Sequence, residues 1–341
     1  MTYPEAMVVG LIQGVTELFP VSSLGHNVLI PALIGGSWAQ DLSVSAPESP
    51  YLAFIVGLHV ATAAAMILYF WRDWLRLVSG FVSSLRERRI ATPDQRLAWM
   101  IILATIPVGI AGLALEHAFR VFFSKPVPTA LFLALNGLIL LGGERVRRRA
   151  RPAAAAAQTL AAQPVVAVAT PGPSSGATTP DPRRLDRPDQ PQAAAGSERE
   201  AEIARAVAAD GRLSAMTYRG AVLIGSAQIF ALLPGISRDG IVTVTGMLRG
   251  VSREDAVRFS FLLSAPVILA AGVLKIPDLT GPLGAGIGGQ VLVGSLLSFV
   301  GAYLSVRFLT RYFARDRSLA PFGIYCLLAG LGSLVFYLVA R

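Results

Sequence analysis

Two polar stretches interrupt apolar segments of this chain, and they constrain its fold more than any other feature. The first runs from Gln13 to His26 inside an apolar region that extends from Ala6 to Ile34. Gln13 and Glu17 are four residues apart, so on a helix they share one face. Pro20 then ends that helix, because it lacks a backbone N–H. Broken helices at membrane depth survive only where protein or a water-filled cavity satisfies the freed backbone groups. The stretch therefore predicts a buried site within a membrane.

A second stretch, Ala231–Gly240, repeats this form in the other half of the chain. Aligning Pro234 with Pro20 also places Ser237 on Ser23, so each stretch is an apolar helix followed by a proline and a polar turn. Two Pro/Gly-interrupted apolar segments in corresponding halves are typical of membrane proteins with a site between two repeats. We therefore expect an all-α polytopic membrane protein with two inverted repeats, each carrying a re-entrant broken helix pair.

The composition supports a membrane protein and argues against nucleic-acid binding. Hydrophobic residues make up 53% of the 341 residues and charged residues 15%, with a mean hydropathy of +0.58, as in integral membrane proteins. The net charge of +9 comes from arginines that lie between apolar spans, and positive loops indicate membrane orientation first. The lipid bilayer is therefore an expected partner, and nucleic acid is not. The N-terminus has no basic region or cleavage site typical of a removable signal peptide.

The apolar spans and the arginine clusters predict the topology. Segments 51–71, 97–115, 127–143, 252–274, 284–309 and 321–340 are expected to be apolar helices that span the bilayer. Loops 72–96 and 144–151 are rich in arginine, whereas the short loop 116–126 is not. The arginine-rich loops are therefore expected in the cytoplasm.

An insert is predicted between two membrane halves, which comprise residues 1–149 and 213–341. Residues 150–212 are rich in Ala, Pro, Gly and Ser and contain no aromatic side chain. Such a segment cannot bury enough apolar surface to offset its chain entropy, so we expect a disordered cytoplasmic insert. A short helix at 197–208 is the exception, since acidic residues lie near its start.

Glu17 is the residue most expected to carry chemistry, because a carboxylate in lipid is costly unless it is paired, hydrated or bound to a metal. With Gln13 it can hold Mg²⁺ or Ca²⁺ through oxygen ligands, the metal also contacting a substrate phosphate. Alternatively, Glu17 is a general base for Ser23 or orients His26. A structural role in helix packing is the remaining alternative.

Arg238 is expected to bind phosphate, since its planar guanidinium gives two parallel hydrogen bonds to an oxyanion. Gly235 and Gly240 beside it let backbone N–H groups approach a phosphate. The alternative is an interfacial arginine that extends to the lipid headgroups. Asp239 can pair with Arg238, add a metal ligand or face water. His59, in the middle of a predicted span, is more often a packing residue than a catalyst.

These motifs resemble the bacterial undecaprenyl-diphosphate phosphatase family (UppP, also called BacA). The resemblance rests on Gln-x-x-x-Glu with Pro-Val-Ser-Ser-x-Gly-His in the first half and Pro-Gly-x-Ser-Arg in the second. Further matches are Leu58-His59, Ile106-Pro107, Gly143-Glu144-Arg145 and Phe259–Leu263. The resemblance covers the whole chain except the insert.

The resemblance implies a metal-dependent enzyme of the cytoplasmic (inner) membrane that removes the terminal phosphate of undecaprenyl diphosphate. That reaction recycles the lipid carrier for peptidoglycan synthesis and is associated with bacitracin resistance. The family site faces the periplasm. A homodimer is a possible assembly.

The resemblance also assigns residues by motif. Gln13 and Glu17 form the acidic pair, and either Ser23 or His26 attacks phosphorus. The set that binds the substrate phosphate comprises Ser22, Gly235, Ser237 and Arg238, with Asp239 and His59 as further candidates.

Three positions depart from the family pattern: Leu24 and Val242 replace common threonines, and Asp239 replaces a common serine. These changes bear on rate, metal preference or substrate range more than on reaction class. Two other functions are alternatives. One is a transporter that flips undecaprenyl phosphate, since broken helices in inverted repeats are a transporter architecture. The other is a type-2 phosphatidic acid phosphatase, whose Lys-x6-Arg-Pro motif is absent from this chain.

Overall fold

A computed structural model of the chain describes residues 1–43, 50–123, 125–161 and 191–339, and every regular element among them is helical. The α-helices are α1 Tyr3–Leu18, α2 Ser23–Ile34, α3 Gly36–Asp41, α4 Pro50–Tyr69, α5 Trp71–Glu87, α6 Pro93–Phe123, α7 Pro126–Ala161, α8 Pro191–Ser214, α9 Tyr218–Ser226, α10 Arg238–Leu248, α11 Arg253–Leu274, α12 Ile276–Thr280, α13 Gly288–Ala314 and α14 Ala320–Val339. Short 3₁₀ helices cover Ala227–Leu232 and Pro282–Gly284. The predicted all-α class is confirmed.

Six helices in the described part of the chain are long and apolar enough to cross a membrane. They are Pro50–Tyr69, Pro93–Leu115, Pro126–Arg149, Arg253–Leu274, Gly288–Ala314 and Ala320–Val339, and they match the predicted spans. The two interrupted stretches instead form shorter helices that meet at turns, α1 with α2 and α9 with α10. The predicted breaks are therefore confirmed, while the inverted-repeat relation between the halves stays a prediction.

Two predicted loops are largely helical. Most of the range 72–96 belongs to α5, which exposes Leu75, Val78, Val82 and Leu85 at helical spacing. A helix with one polar and one apolar face is suited to lie along a membrane interface. The predicted loop 116–126 is also shorter than expected, because α6 continues to Phe123 and α7 begins at Pro126. No Gly or Pro lies within 116–123 to end the helix.

Residues Arg148–Ala209 form a compact unit of their own, and Met1–Arg147 with Asp210–Arg341 form the other unit, here called the body. Within the range predicted to be disordered, α7 runs to Ala161 and α8 covers 191–214, including the predicted short helix at 197–208. Residues 162–190 lie outside the described part. The domain boundaries and the disorder of the insert stay predictions.

Small residues let α1 pack directly against α13. A Cβ atom added to Gly10 would lie 2.3 Å from the carbonyl oxygen of Gly294, and one added to Gly14 would lie 2.2 Å from that of Ser298. Both contacts advance in the same direction along the chain, so the two helices are parallel. The small residues Gly294 and Ser298 thus permit close packing of the two helices. This contact fixes where the polar face of α1 lies along the length of α13.

Buried ion pairs hold one end of the body together. Arg253, at the start of α11, donates to both carboxylate oxygens of Glu144 on α7, at 2.6 and 2.8 Å. It also donates to Asp316, between α13 and α14, at 2.9 Å. Further along α11, Arg258 donates to Asp210 at 2.7 Å. The arginine-rich segments of the body therefore meet at one end, here called the arginine-rich end.

Candidate active site

The polar face of α1 carries the first part of the site. Gln13 and Glu17 are both buried, and the Gln13 amide nitrogen donates to Oε2 of Glu17 at 2.8 Å. The Gln13 amide oxygen accepts from Nδ2 of Asn27 at 2.6 Å, which fixes the orientation of the amide. Nε2 of His59 lies 3.4 Å from the Gln13 nitrogen and 3.7 Å from Glu17. His59 therefore faces the site and is not only a packing residue.

The turn after α1 directs two serines to different partners. Helix α2 begins at Ser23, with Ser22 as its N-cap. Ser22 has a φ of 68°, which is strained for a residue with a side chain, and its hydroxyl accepts from the N–H of Gly25 at 3.2 Å. The Ser23 hydroxyl instead donates to Oε2 of Glu17. A hydroxyl bonded to a carboxylate at a helix N-terminus is the arrangement of an activated nucleophile.

The second turn packs against the first. Gly235 has a φ of 113°, and a Cβ atom there would lie 2.6 Å from the carbonyl oxygen of Thr129, so only glycine fits. Its N–H donates to the Ser22 hydroxyl at 3.1 Å. Ser22 and Gly235 are thus bonded to each other, and their roles towards phosphate stay predictions. The hydroxyl of Ser237 caps α10 by accepting from the N–H of Gly240 at 3.1 Å.

Asn136 on α7 joins the two turns, although no motif in the sequence includes it. Its Nδ2 donates to the carbonyl oxygen of Pro20, and its Oδ1 accepts from the N–H of Ser237, both at 3.0 Å. Nδ2 also donates to Sγ of Cys326 at 3.3 Å. The sequence feature that could have identified Asn136 is its amide within an apolar span, because a buried amide needs hydrogen-bond partners. This side chain fixes the relative position of the two halves of the site.

Arg238 extends from the second turn to the first. It is the first residue of α10, and its Nη2 donates to Oε1 of Glu17 at 2.5 Å. Its Nε is buried and has no partner among the described residues. The guanidinium can therefore hold Glu17 and an oxyanion together. An arginine bonded to Glu17 in this way does not extend to the lipid headgroups.

His26 is bonded to Tyr325 of α14 through Nε2, at 2.7 Å. Its Nδ1 lies 2.7 Å from the carbonyl oxygen of Ser22, so the hydrogen-bond pattern assigns the proton of the neutral ring to Nδ1. The Tyr325 hydroxyl then donates to Nε2, and the two rings stack at 5.7 Å. Both imidazole nitrogens are occupied, and neither is bonded to Ser23. Tyr325, like Asn136, lies outside every motif in the sequence.

Asp239 points away from Glu17 and towards α11. Its Oδ1 accepts from the hydroxyls of Ser260 and Ser264, each at 2.6 Å. It is buried, and its Oδ2 has no partner in the described part of the chain. Asp239 therefore neither pairs with Arg238 nor faces water. Asp239, which stands where the family commonly has serine, therefore connects α10 to α11.

Four of the predicted residues share one set of hydrogen bonds, here called the Glu17 cluster: Gln13, Glu17, Ser23 and Arg238. Its chemistry is that of a hydroxyl held by a carboxylate beside a cation. Such a set is suited to attack on phosphorus, because the arginine neutralises the phosphate that the hydroxyl approaches.

The cluster offers few donors for a metal ion. Among the described residues, no group of three or more His, Cys, Asp or Glu side chains could hold one, and Glu17 is already bonded to Arg238. Mg²⁺ often takes one carboxylate and completes its coordination with substrate phosphates and water. Glu17 fits a divalent ion in that mode, whereas Gln13 fits only if its amide turns, because its oxygen accepts from Asn27 and its nitrogen faces Glu17.

Known proteins match nearly the whole chain. The family described as Bacitracin resistance protein BacA matches residues 6–179 and 197–332. A protein of Mycolicibacterium paratuberculosis named undecaprenyl-diphosphatase is 59% identical over 336 residues, covering 98% of this chain and 97% of the relative. The undecaprenyl-diphosphatase 2 of Frankia alni is 52% identical over 351 residues, covering 100% and 99%. That of Chromobacterium violaceum is 36% identical over 338 residues, covering 98% and 99%.

Proposed function

We propose that this chain, which belongs to the bacitracin resistance protein BacA family, is a membrane phosphatase that hydrolyses undecaprenyl diphosphate to undecaprenyl phosphate and phosphate. The names of its relatives, which match over nearly the full length of both chains, support this reaction. The observation that carries the proposal is that one carboxylate, Glu17, accepts hydrogen bonds from both Ser23 and Arg238. The lipid product would return to peptidoglycan synthesis as a carrier.

In this mechanism Ser23 is the nucleophile and Glu17 is its general base. The Ser23 hydroxyl already donates to Glu17, so its proton passes to that carboxylate as Oγ attacks the terminal phosphorus. The bond from this phosphorus to the bridging oxygen breaks, and undecaprenyl phosphate leaves. Water then cleaves the bond between Oγ and phosphorus. The Glu17 proton passes to Oγ of Ser23 as this bond breaks, and phosphate is released with both protons of the water.

Arg238 holds the phosphate during both steps. Its Nη2 is bonded to Glu17, while Nε has no partner among the described residues. Phosphoryl transfer depends mainly on positioning and on neutralising charge on the phosphate oxygens. Arg238 would supply both, because its attachment to Glu17 aligns the phosphate with the Ser23 hydroxyl.

His26 has a positioning role in this mechanism. To attack phosphorus, Nε2 would first have to lose its hydrogen bond to Tyr325, whereas the Ser23 hydroxyl is already bonded to its base. The imidazole instead connects the turn carbonyl of Ser22 to α14. Loss of His26 would therefore slow the reaction by loosening the turn that carries Ser23.

Mg²⁺ or Ca²⁺ dependence is part of the proposal, with Glu17 and Gln13 as the protein ligands. The ion would neutralise charge on the diphosphate when bound. A homodimer likewise stays a prediction.

The proposed location is the bacterial cytoplasmic membrane, with the arginine-rich end in the cytoplasm. Helix α13 ends at that side, and α1 runs parallel to it. The N-terminus of α1 then starts from the opposite side, which supports a site that opens to the periplasm. The alternative of a transporter that flips undecaprenyl phosphate is not favoured, since the relatives carry the name of a phosphatase.

Phosphate release from undecaprenyl diphosphate by the purified protein tests the proposal. We expect turnover by the native chain and at least roughly a 1000-fold loss in Ser23→Ala and in Glu17→Gln, as for other nucleophile and base substitutions. His26→Ala is expected to lose less. Ser226→Ala is the matched control, because among the described residues that hydroxyl donates only to the carbonyl oxygen of Val222 in its own helix.

Chelation of divalent ions, followed by addition of Mg²⁺ or Ca²⁺, tests the metal in the same assay. Native activity in Ser23→Ala would contradict the assigned nucleophile. Movement of labelled lipid across vesicles without phosphate release by the native chain would support the transporter instead.

A further inference from the structure

The outer face of α13 is apolar over most of its length and basic at its end. Side chains at four-residue spacing form one ridge here, which winds around the helix by about 40° at each step. Each is at least 44% exposed: Leu292, Leu296, Val300, Leu304 and Phe308. Beyond Phe308 the same face continues with Arg311 and Arg315. A helix face of this kind presents a hydrocarbon surface that leads to a positively charged end.

A cleft of about 370 Å³ opens where the two parts of this face meet. Four arginines line it: Arg307, Arg311, Arg315 and Arg317. Phe308 and Tyr312 form its aromatic wall, and the guanidinium carbon of Arg317 lies 5.5 Å from the centre of the Tyr312 ring. We call this the arginine cleft. Its lining contains four cations and no carboxylate.

The arginines of the cleft differ from others at the same end of the body. Arg147, Arg253 and Arg258 are all paired with carboxylates at 3.0 Å or less. Among the described residues, none of the four cleft arginines forms an ion pair. Asp316, between two of them in sequence, is instead bonded to Arg147 and Arg253. The cleft therefore has an excess of positive charge with no anion from the described residues.

Arg307 is expected at the boundary of the hydrocarbon core, because it lies 19 residues after the start of α13 at Gly288, or ~28 Å along the helix, against a core thickness of ~30 Å. It is exposed, and it lies seven residues before the end of α13, which is about 10 Å along the helix at ~1.5 Å per residue. An exposed arginine in a face that otherwise carries leucine and phenylalanine is costly in lipid unless it reaches a phosphate. Lipid phosphates lie in the headgroup region next to this boundary, so a lipid headgroup is the anion that this position favours.

We propose that the arginine cleft binds the phosphate headgroup of an anionic diacyl phospholipid. The guanidinium groups give bidentate hydrogen bonds to phosphate oxygens, and basic pockets at the cytoplasmic ends of membrane helices suit such headgroups. The acyl chains lie against the apolar face of α13. From Phe308 to Leu296 that face is about 18 Å long, close to the ~15 Å thickness of one hydrocarbon leaflet.

Native mass spectrometry of the purified full chain tests this site by titration with phosphatidylglycerol and, separately, phosphatidylcholine. Each interfacial arginine is expected to favour an anionic lipid by roughly fivefold in affinity. The native chain should therefore prefer phosphatidylglycerol. Arg311→Gln with Arg315→Gln should reduce that preference about 25-fold. If the double variant is not monodisperse, each single variant is expected to lose about fivefold.

Arg86→Gln with Arg219→Gln is the matched control, since both residues are exposed arginines outside the cleft and the change in net charge is the same. The control should keep the native preference. An equal loss in both double variants would overturn the site, because it would reflect overall charge alone. The site would also be overturned if the native chain retained a polyprenyl phosphate in the cleft instead of a diacyl phospholipid. The lipid preference is measured without phosphate release, so this experiment tests the cleft independently of the proposed reaction.

Discussion

Replacing Asn136 with leucine tests whether one side chain holds the two turns of the site together. Its amide donates to the carbonyl oxygen of Pro20 and accepts from the N–H of Ser237, both at 3.0 Å. Leucine has a similar volume but leaves the buried N–H of Ser237 without this partner and leaves the Pro20 carbonyl oxygen with only the weak thiol donor of Cys326, at 3.7 Å. Each such group costs about 1–3 kcal/mol. We therefore expect the free energy of unfolding to fall by about 2–6 kcal/mol.

Turnover is expected to fall as well, because the same turns carry Ser23 and Arg238. A displacement of about 1 Å between reacting groups can cost about 100-fold in rate, and we expect a loss of that size in Asn136→Leu. Equilibrium unfolding in detergent and phosphate release measure the two effects. Leu138→Ala, an exposed position on the same helix, should change neither. Native stability and native turnover in Asn136→Leu would refute the reasoning.

Three further substitutions test the body and the second turn. Glu144→Leu removes one of the two acids paired with buried Arg253 and leaves Asp316, so it should lower the free energy of unfolding by at most about 3–5 kcal/mol; an unchanged denaturation midpoint would contradict this. Gly14→Ala places a Cβ atom 2.2 Å from the carbonyl oxygen of Ser298, so the polar face of α1 must shift. Phosphate release should fall in the folded variant, and native turnover would count against this packing. Asp239→Asn keeps an acceptor for both serine hydroxyls and should cost at most about 1 kcal/mol of unfolding free energy, whereas Asp239→Leu should cost more. If both variants lost the same unfolding free energy, the hydrogen bonds to the two serines would not explain why an acid stands at this position.

The broken helices could be predicted from the sequence because their cause is local. Pro20 and Pro234 act on their own backbone, so the breaks follow from residue type alone. The pairing of Gln13 with Glu17 also follows from the four-residue spacing of a helix. The polar face of α1 was predictable for the same reason, and so were the apolar spans.

The contacts that assemble the site could not be predicted in this way. Asn136 and Tyr325 belong to no motif, and each acts on a turn from a distant helix. Which atoms Asp239 contacts likewise depends on how α11 packs against α10. Helix α5 was missed for another reason: its arginines suggested a loop, while its apolar residues at helical spacing indicated an amphipathic helix.

The central claim is that Ser23 attacks phosphorus while Glu17 takes its proton. The most direct test is rapid quenching of the native chain during turnover of undecaprenyl diphosphate labelled in its terminal phosphate, followed by mass spectrometry of the peptide that contains both Ser23 and His26. Quenching in acid preserves phosphoserine, and quenching in alkali preserves phosphohistidine. The account predicts phosphate on Ser23 in the native chain and none in Ser23→Ala. Phosphate on His26, with Ser23 unlabelled, would contradict it.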